Sequence, residues 1–461
     1  MMTIKSIVFV LMKLLAIRLS EQKTLAKSLV IALSAAPLAG AADLLETYHA
    51  AQSQDAVFAS ARATQRAGQE KLPQGRSLLL PSVSLNANTT YNDNTTQYRS
   101  AFLIPSGTSR FNSNGYGVTL TQPLFRQQNW VAYTEAELQV TQTEAQFKAA
   151  EQNLIVRVAQ AYFDVLIAQD SVQLAEAQKT AISEQLEQAK RNFEVGTATI
   201  TDTYEAQARY DLTSSQEIAA QSNLEIKKRA LQQIVNAGPG ELRHLGKELK
   251  LEAPQPGDVE KWVEDAQQRS LQVVVAQAGA ELAEKEVARN RGGHYPTLDL
   301  VANYAENSAG GGAFGVGTDS HNKAIGVQLN LPLYQGGETQ SKLREAEANR
   351  DRAKEDLENT RRTVALQTRQ AYLGVVDGVA QVKALQQALK SSESLLEASK
   401  LGQEVGVRTN LDVLNAQQQL YSTRRDLYQA EYNYLISQLQ LKAAAGTLVE
   451  EDLARINQAL Y

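Results

Sequence analysis

The sequence predicts a mixed α and β membrane protein: a long α-helical coiled-coil tunnel carrying four transmembrane β-strands per protomer, with three protomers closing one barrel of about 12 strands. Three observations lead there. Two proline-free stretches each carry an amphipathic helical pattern, four short segments alternate apolar and polar side chains, and the second half of the chain repeats the first.

The 461 residues include 10 prolines, none between Pro123 and Pro239 and none after Pro332. Helices far longer than the globular mean of about 11 to 12 residues therefore have room to form. The segments Gln127 to Glu194 and Gly337 to Glu404 mix Ala, Gln, Glu, Lys and Leu with apolar residues at three- and four-residue spacing, among them Ala159, Tyr162, Phe163 and Leu166. Each spans roughly 100 Å if helical throughout. Four shorter helices are expected near Asp43 to Gly75, Thr199 to Asn236, Asp258 to Asn290 and Thr409 to Ala445, so that two short helices stacked end to end match one long one.

The strands follow from side chains alternating with a period of two. Val83, Leu85 and Ala87 alternate with Ser84, Asn86 and Asn88, and the return strand alternates Tyr116, Val118 and Leu120 with Gly117, Thr119 and Thr121. The second half repeats this with Leu298, Leu300 and Ala302, then Ile325, Val327, Leu329 and Leu331. About 10 residues with one apolar face is what a bilayer-crossing strand requires. Tyr91 to Asn114 and the Gly310–Gly315 region are expected as external loops. Four strands cannot close a barrel, and unpaired edges are not tolerated in lipid, so the protomer must oligomerise.

The duplication is clearest at an offset of about 210 residues. Glu194-Val195-Gly196, Thr199, Asp202 and Ala206-Gln207 answer Glu404-Val405-Gly406, Thr409, Asp412 and Ala416-Gln417. Residues 42–255 and 256–461 are accordingly expected as two structural repeats of one order, helix, strand, strand, long helix, helix. Ahead of them, Lys23 and Lys27, the apolar run Leu29 to Leu38 and Ala39-Gly40-Ala41 form the layout of a secretory signal peptide over residues 1–41. The runs Ile7 to Ile17 and Leu29 to Leu38 are shorter than the roughly 20 residues of a spanning helix. The stretch before Lys23 reads either as an extended basic region or as an upstream start.

There is no cysteine, which excludes disulfides, thiolate metal sites, a cysteine nucleophile and a lipid-modified N-terminal cysteine. A net charge of −5 argues against a nucleic-acid partner. The four histidines are scattered, with no His-Glu-x-x-His pattern and no nucleophile beside a base, so neither catalysis nor a metal or cofactor is expected.

The run Glu404 to Gln417, followed by Tyr432 to Lys442 and Ala445 to Leu448, closely resembles the C-terminal repeat of the TolC family of outer-membrane efflux and type I secretion channel proteins. Phe193 to Asp202 resembles the family's equivalent first turn. The resemblance implies an outer-membrane homotrimer in contact with lipid, its helical tunnel in the periplasm. It implies an exit duct docked to a periplasmic adaptor (membrane fusion) protein and an inner-membrane pump of the ABC or RND type. A periplasmic coiled-coil adaptor and a non-specific porin are the alternatives; the strands argue against the first and the long helices against the second.

By motif position, Asp202 and Arg408 correspond to a salt-linked latch and Asp412 to a carboxylate ring at the constriction. The chain departs from the family pattern at Asn415, where a second aspartate is usual, and at Gln403, where a tyrosine joins the latch. Independently of the resemblance, Gly196 and Gly406 suit left-handed helix ends, and Thr199 and Thr409 suit N-caps of the return helices. Asp202 and Asp412 then fall three residues in, where a carboxylate completes a capping box, and for Asp202 that role accounts for the residue as well as a latch does.

Overall fold

The structure, a computed structural model, describes residues 43–97, 99, 107–238, 240–246, 249–312 and 316–460. The expected signal peptide, 1–41, lies outside the described residues. In chain order the elements are α1 (Leu44–Gln54), α2 (Ala56–Gln69), α3 (Lys71–Ser77), β1 (Ser82–Thr96), β2 (Gly107–Phe125), α4 (Gln127–Glu194) and α5 (Ile200–Val235). Then follow α6 (Val259–Arg269), α7 (Leu271–Arg291), β3 (Thr297–Ala309), β4 (Thr318–Asn330), α8 (Glu338–Glu404), α9 (Asn410–Ala444) and α10 (Glu450–Asn457).

The long helices α4 and α8 run for 68 and 67 residues, as the absence of proline allows. Along its length α4 packs against α5, then against α1, α2, α3 and α7, while α8 packs against α9, then α6 and α7. The shorter helices differ from expectation in two places. The helix expected over 43–75 is three helices, divided at Asp55 and at Glu70; the first break comes where Asp55 leaves the helical path to cap α2, its Oδ1 accepting from the Phe58 N–H at 2.6 Å and from Arg157 of α4 at 2.9 Å. The helix expected over 258–290 breaks at Ser270, whose ψ of 128° is extended. Gly446 (φ +72°) lies against that break, and a Cβ on it would stand 2.4 Å from the Arg269 carbonyl oxygen. The C-terminal α10 was not expected.

The four strands form one antiparallel sheet in the order β1-β2-β3-β4. They are longer than the expected 10 residues, at 15, 19, 13 and 13. The loop expected over Tyr91 to Asn114 is mostly strand: Tyr91 pairs with Asn112 and Thr96 with Gly107. The ladder continues past the apolar segment on Asn, Thr and Ser, whose side chains bond across it, as Thr89 does to Asn114 at 2.6 Å. Of the Gly-rich segment, Gly310–Gly312 follows β3, and 313–315 lie outside the described residues.

Register aligns the alternation across all four strands. Leu85 faces Val118, Leu120 faces Ala302, Leu300 faces Val327 and Leu298 faces Leu329. This apolar face is uncovered within the protomer: Leu85 is 70 % exposed and Ile325 76 %. Tyr116 and Tyr304 stand at its upper margin, with Glu306, His321 and Lys323 around them, the arrangement of a bilayer interface. At the lower margin Arg126, the residue before α4, grips Asp299 of β3 with two hydrogen bonds of 2.8 and 2.6 Å, which fixes the helix to the sheet.

The core sits at mid-length of α4, where α1, α9 and α10 converge on it. Tyr162, Phe163, Tyr432, Tyr434, Leu44 and Leu453 are buried there. Phe163 meets the Tyr432 ring at 5.5 Å. Each buried ring contributes on the order of 2 kcal/mol from area alone. The phenols are also satisfied: Tyr162 donates to the Arg243 carbonyl, Tyr432 to Asp170 and Tyr434 to the Glu252 carbonyl.

Candidate functional site

Two helix-to-helix turns, α4 to α5 and α8 to α9, form the ends of two antiparallel hairpins. Both have the same construction. Gly196 and Gly406 share a φ of +78°, the left-handed conformation in which glycine avoids the Cβ penalty. The Thr197 and Ala198 N–H groups return to the Asn192 carbonyl, and those of Val407 and Arg408 return to the Gly402 carbonyl, which satisfies the ends of the long helices.

The return helices begin with paired capping boxes. Asp202 accepts from the Thr199 N–H at 2.9 Å and its hydroxyl at 2.8 Å, and Thr199 accepts from the Asp202 N–H. Thr409 and Asp412 repeat this, with both carboxylate contacts at 2.8 Å. The Thr409 N–H, then its hydroxyl, with the Arg408 guanidinium adding to them, hold the exposed Asp412 carboxyl below the usual range.

The turns diverge in their side chains. Arg408 stands 3.8 Å from Asp412 of its own chain, while its counterpart in the first turn is Ala198. It lies over Gly402, where a Cβ would come within 2.6 Å of the Arg408 Cγ. Within the protomer Asp202 is engaged by Thr199, so an Asp202 to Arg408 pair is not formed inside one chain among the described residues. Gln403 donates to Asn410 at 3.3 Å, across the turn.

Asn415 is engaged by the other hairpin. It accepts from Arg209 Nη2 at 2.9 Å, and the other arm of that guanidinium donates to Gln418. Sequence reading missed Arg209, since nothing local to it predicts a partner 206 residues away.

A family profile described as "Outer membrane efflux protein" matches residues 47–237 and 262–447. The chain belongs to this outer membrane efflux protein family. It is 34 % identical over 422 residues to the outer membrane protein TolC of Vibrio cholerae, covering 91 % of this chain and 94 % of that protein. It is 35 % identical over 433 residues to TolC of Escherichia coli, covering 92 % and 86 %. The alkaline protease secretion protein AprF of Pseudomonas aeruginosa is 32 % identical over 420 residues, covering 89 % and 85 %. Among solved structures, the outer membrane protein VceC of Vibrio cholerae matches in fold with a TM-score of 0.74 at 21 % identity, over 87 % of this chain and 96 % of that one. The MtrE outer membrane channel of Neisseria gonorrhoeae, solved in its open state, matches at 0.72 and 18 %, over 88 % and 90 %. The chain is therefore an outer-membrane exit duct for efflux or secretion, its helices on the periplasmic side.

Proposed function

We propose that three copies of the chain assemble into one gated duct that passes small molecules or polypeptides without chemistry, fed by an inner-membrane pump of the ABC or RND type through a periplasmic adaptor. The observation that carries the trimer is the open sheet: its uncovered face is apolar, and among the described residues β1 pairs only with β2 and β4 only with β3. Two bare edges are untenable in a bilayer and are removed when β4 of one protomer pairs with β1 of the next, giving about 12 strands from three. Exposed apolar side chains on α5 (Tyr204, Ile218, Ile226) and α8 (Leu366, Leu373, Leu395) supply the matching helical contacts.

The duplicated order supports reading residues 42–255 and 256–461 as two repeats, with 1–41 removed on export. At the periplasmic end, three Asp412 carboxylates surround the axis with Asn415 one turn on, where they repel one another and draw cations. Arg408 reaches Asp202 of the neighbouring protomer with Gln403 beside it, a weak exposed latch that a docked adaptor overcomes. Cross-linking of the purified protein in detergent micelles tests the assembly: a dominant trimer band on denaturing electrophoresis supports it, and monomer at every cross-linker concentration contradicts it.

A further inference from the structure

We propose that Arg209 is a second gate element, a clasp that holds the two hairpins of one protomer together near their tips and sets the charge of the mouth. The proposal rests on the reading of the tips as a gate. Ion pairs along the lower helices staple each hairpin to itself: Lys179 to Glu217 joins α4 to α5, and Arg424 to Glu393 joins α8 to α9. Higher up, the hairpins are locked to each other by the buried core, where Tyr432 of α9 bonds Asp170 of α4. Below that core, each hairpin is an internally tied body, and the boundary between them is the surface along which a tip moves.

Arg209 crosses that boundary. It lies seven residues beyond Asp202 on α5, about 10 Å up the helix. Its guanidinium donates one arm to the Asn415 Oδ1 at 2.9 Å and the other to the Gln418 Oε1, both on α9. Asn415 and Gln418 are three residues apart, neighbours on one helical face, so the planar fork spans both, which a lysine ammonium would not do in the same geometry.

Both acceptors are neutral amides, and no carboxylate pairs with Arg209 among the described residues. Its positive charge is therefore uncompensated. In a trimer, three such charges stand about one turn above the three Asp412 carboxylates. They offset the anionic ring and reduce its preference for cations. Asn415 is the residue that makes this arrangement: it accepts from the arginine without neutralising it.

Planar bilayer recordings of the full chain under a salt gradient read both roles, conductance for the clasp and reversal potential for the charge. Arg209→Ala raises conductance at least about twofold and shifts selectivity toward cations. Arg209→Lys keeps the charge but loses the fork, so conductance rises while selectivity holds. Asn415→Asp turns the contact into an ion pair and lowers conductance. The pair Asn415→Leu with Gln418→Leu removes the acceptors from the other side and reproduces the conductance of Arg209→Lys. If Arg209→Ala matches wild type in both readouts while Asp412→Ala still changes the channel, the clasp is overturned and the gate stands. If the wild-type chain opens no channel, the duct reading falls and takes the clasp with it.

Discussion

The two hairpin turns share a backbone and differ in what that backbone presents. Both reverse on a glycine at φ +78° and restart on a Thr-x-x-Asp capping box. Yet the second turn has Gly402 and Arg408 where the first has Asn192 and Ala198. One way of ending a hairpin serves both turns, and in the second a glycine before the turn leaves room for Arg408 to lie across the helix end beside Asp412. The turn geometry is thus shared, and the proposed gate can be probed at the side chains that differ between the copies.

If the shared geometry is purely structural, breaking it must cost the two turns equally. Nothing lies within 4 Å of a Cβ built on Gly196 or Gly406, so replacement by alanine in either turn incurs backbone strain alone, about 1–2 kcal/mol. Hydrogen exchange at the amides of residues 197, 198, 407 and 408 should accelerate about tenfold in the turn that carries the substitution. A difference of more than a few-fold between turns would break the equivalence. Thr199→Ala and Thr409→Ala come next, each loosening its return helix by about 1 kcal/mol as the cap is lost. They separate in function, because Thr409→Ala also releases Asp412 and should strengthen divalent block of the channel, whereas Thr199→Ala should leave that block unchanged.

Gly402→Ala probes the difference itself. The new methyl group displaces Arg408, so channel conductance should rise, by less than the change expected for Arg209→Ala, while Asn192→Ala in the first turn has no effect on it. Equal responses would mean that Arg408 does not act from the position Gly402 gives it.

The smallest effect separates the tips from the core by pH. Asp412 has a lowered carboxyl pKa, so its contribution is present at neutral pH and is lost only as pH falls through that lowered value. Glu431, beside the core, behaves oppositely. Burial first, then the charge of Asp170, push its pKa from 4.5 up to about 7 against an opposing hydrogen bond from Gln386. The unfolded chain releases that proton more readily, so stability is greatest below about pH 4.5 for this group and declines as pH rises to about 7. A melting-temperature profile should show that decline, and Glu431→Gln should flatten it.

These contrasts follow the line between what was legible in the sequence and what was not. Helix lengths were legible because proline and glycine punctuate locally, and the turns were legible because caps are set by neighbours in sequence. The breaks at Asp55 and Ser270 were not, since each answers a distant group: Arg157 for Asp55, and for Ser270 the close approach of Gly446 to Arg269. The upper strands were not, because Asn, Thr and Ser carry no apolar period, although their side chains knit the ladder. Near the tips, the Thr409–Asp412 capping box was legible from the motif, whereas the partnership of Arg209 with Asn415 depends on how two hairpins pack and has no signature in either segment.

The most direct test of a duct closed by the second turn is single-channel conductance in planar bilayers, with and without divalent cations, for the wild type and Asp412→Ala. A small, cation-preferring conductance that divalents block only when Asp412 is present is the predicted result. A large ohmic pore indifferent to both divalents and Asp412 would contradict it.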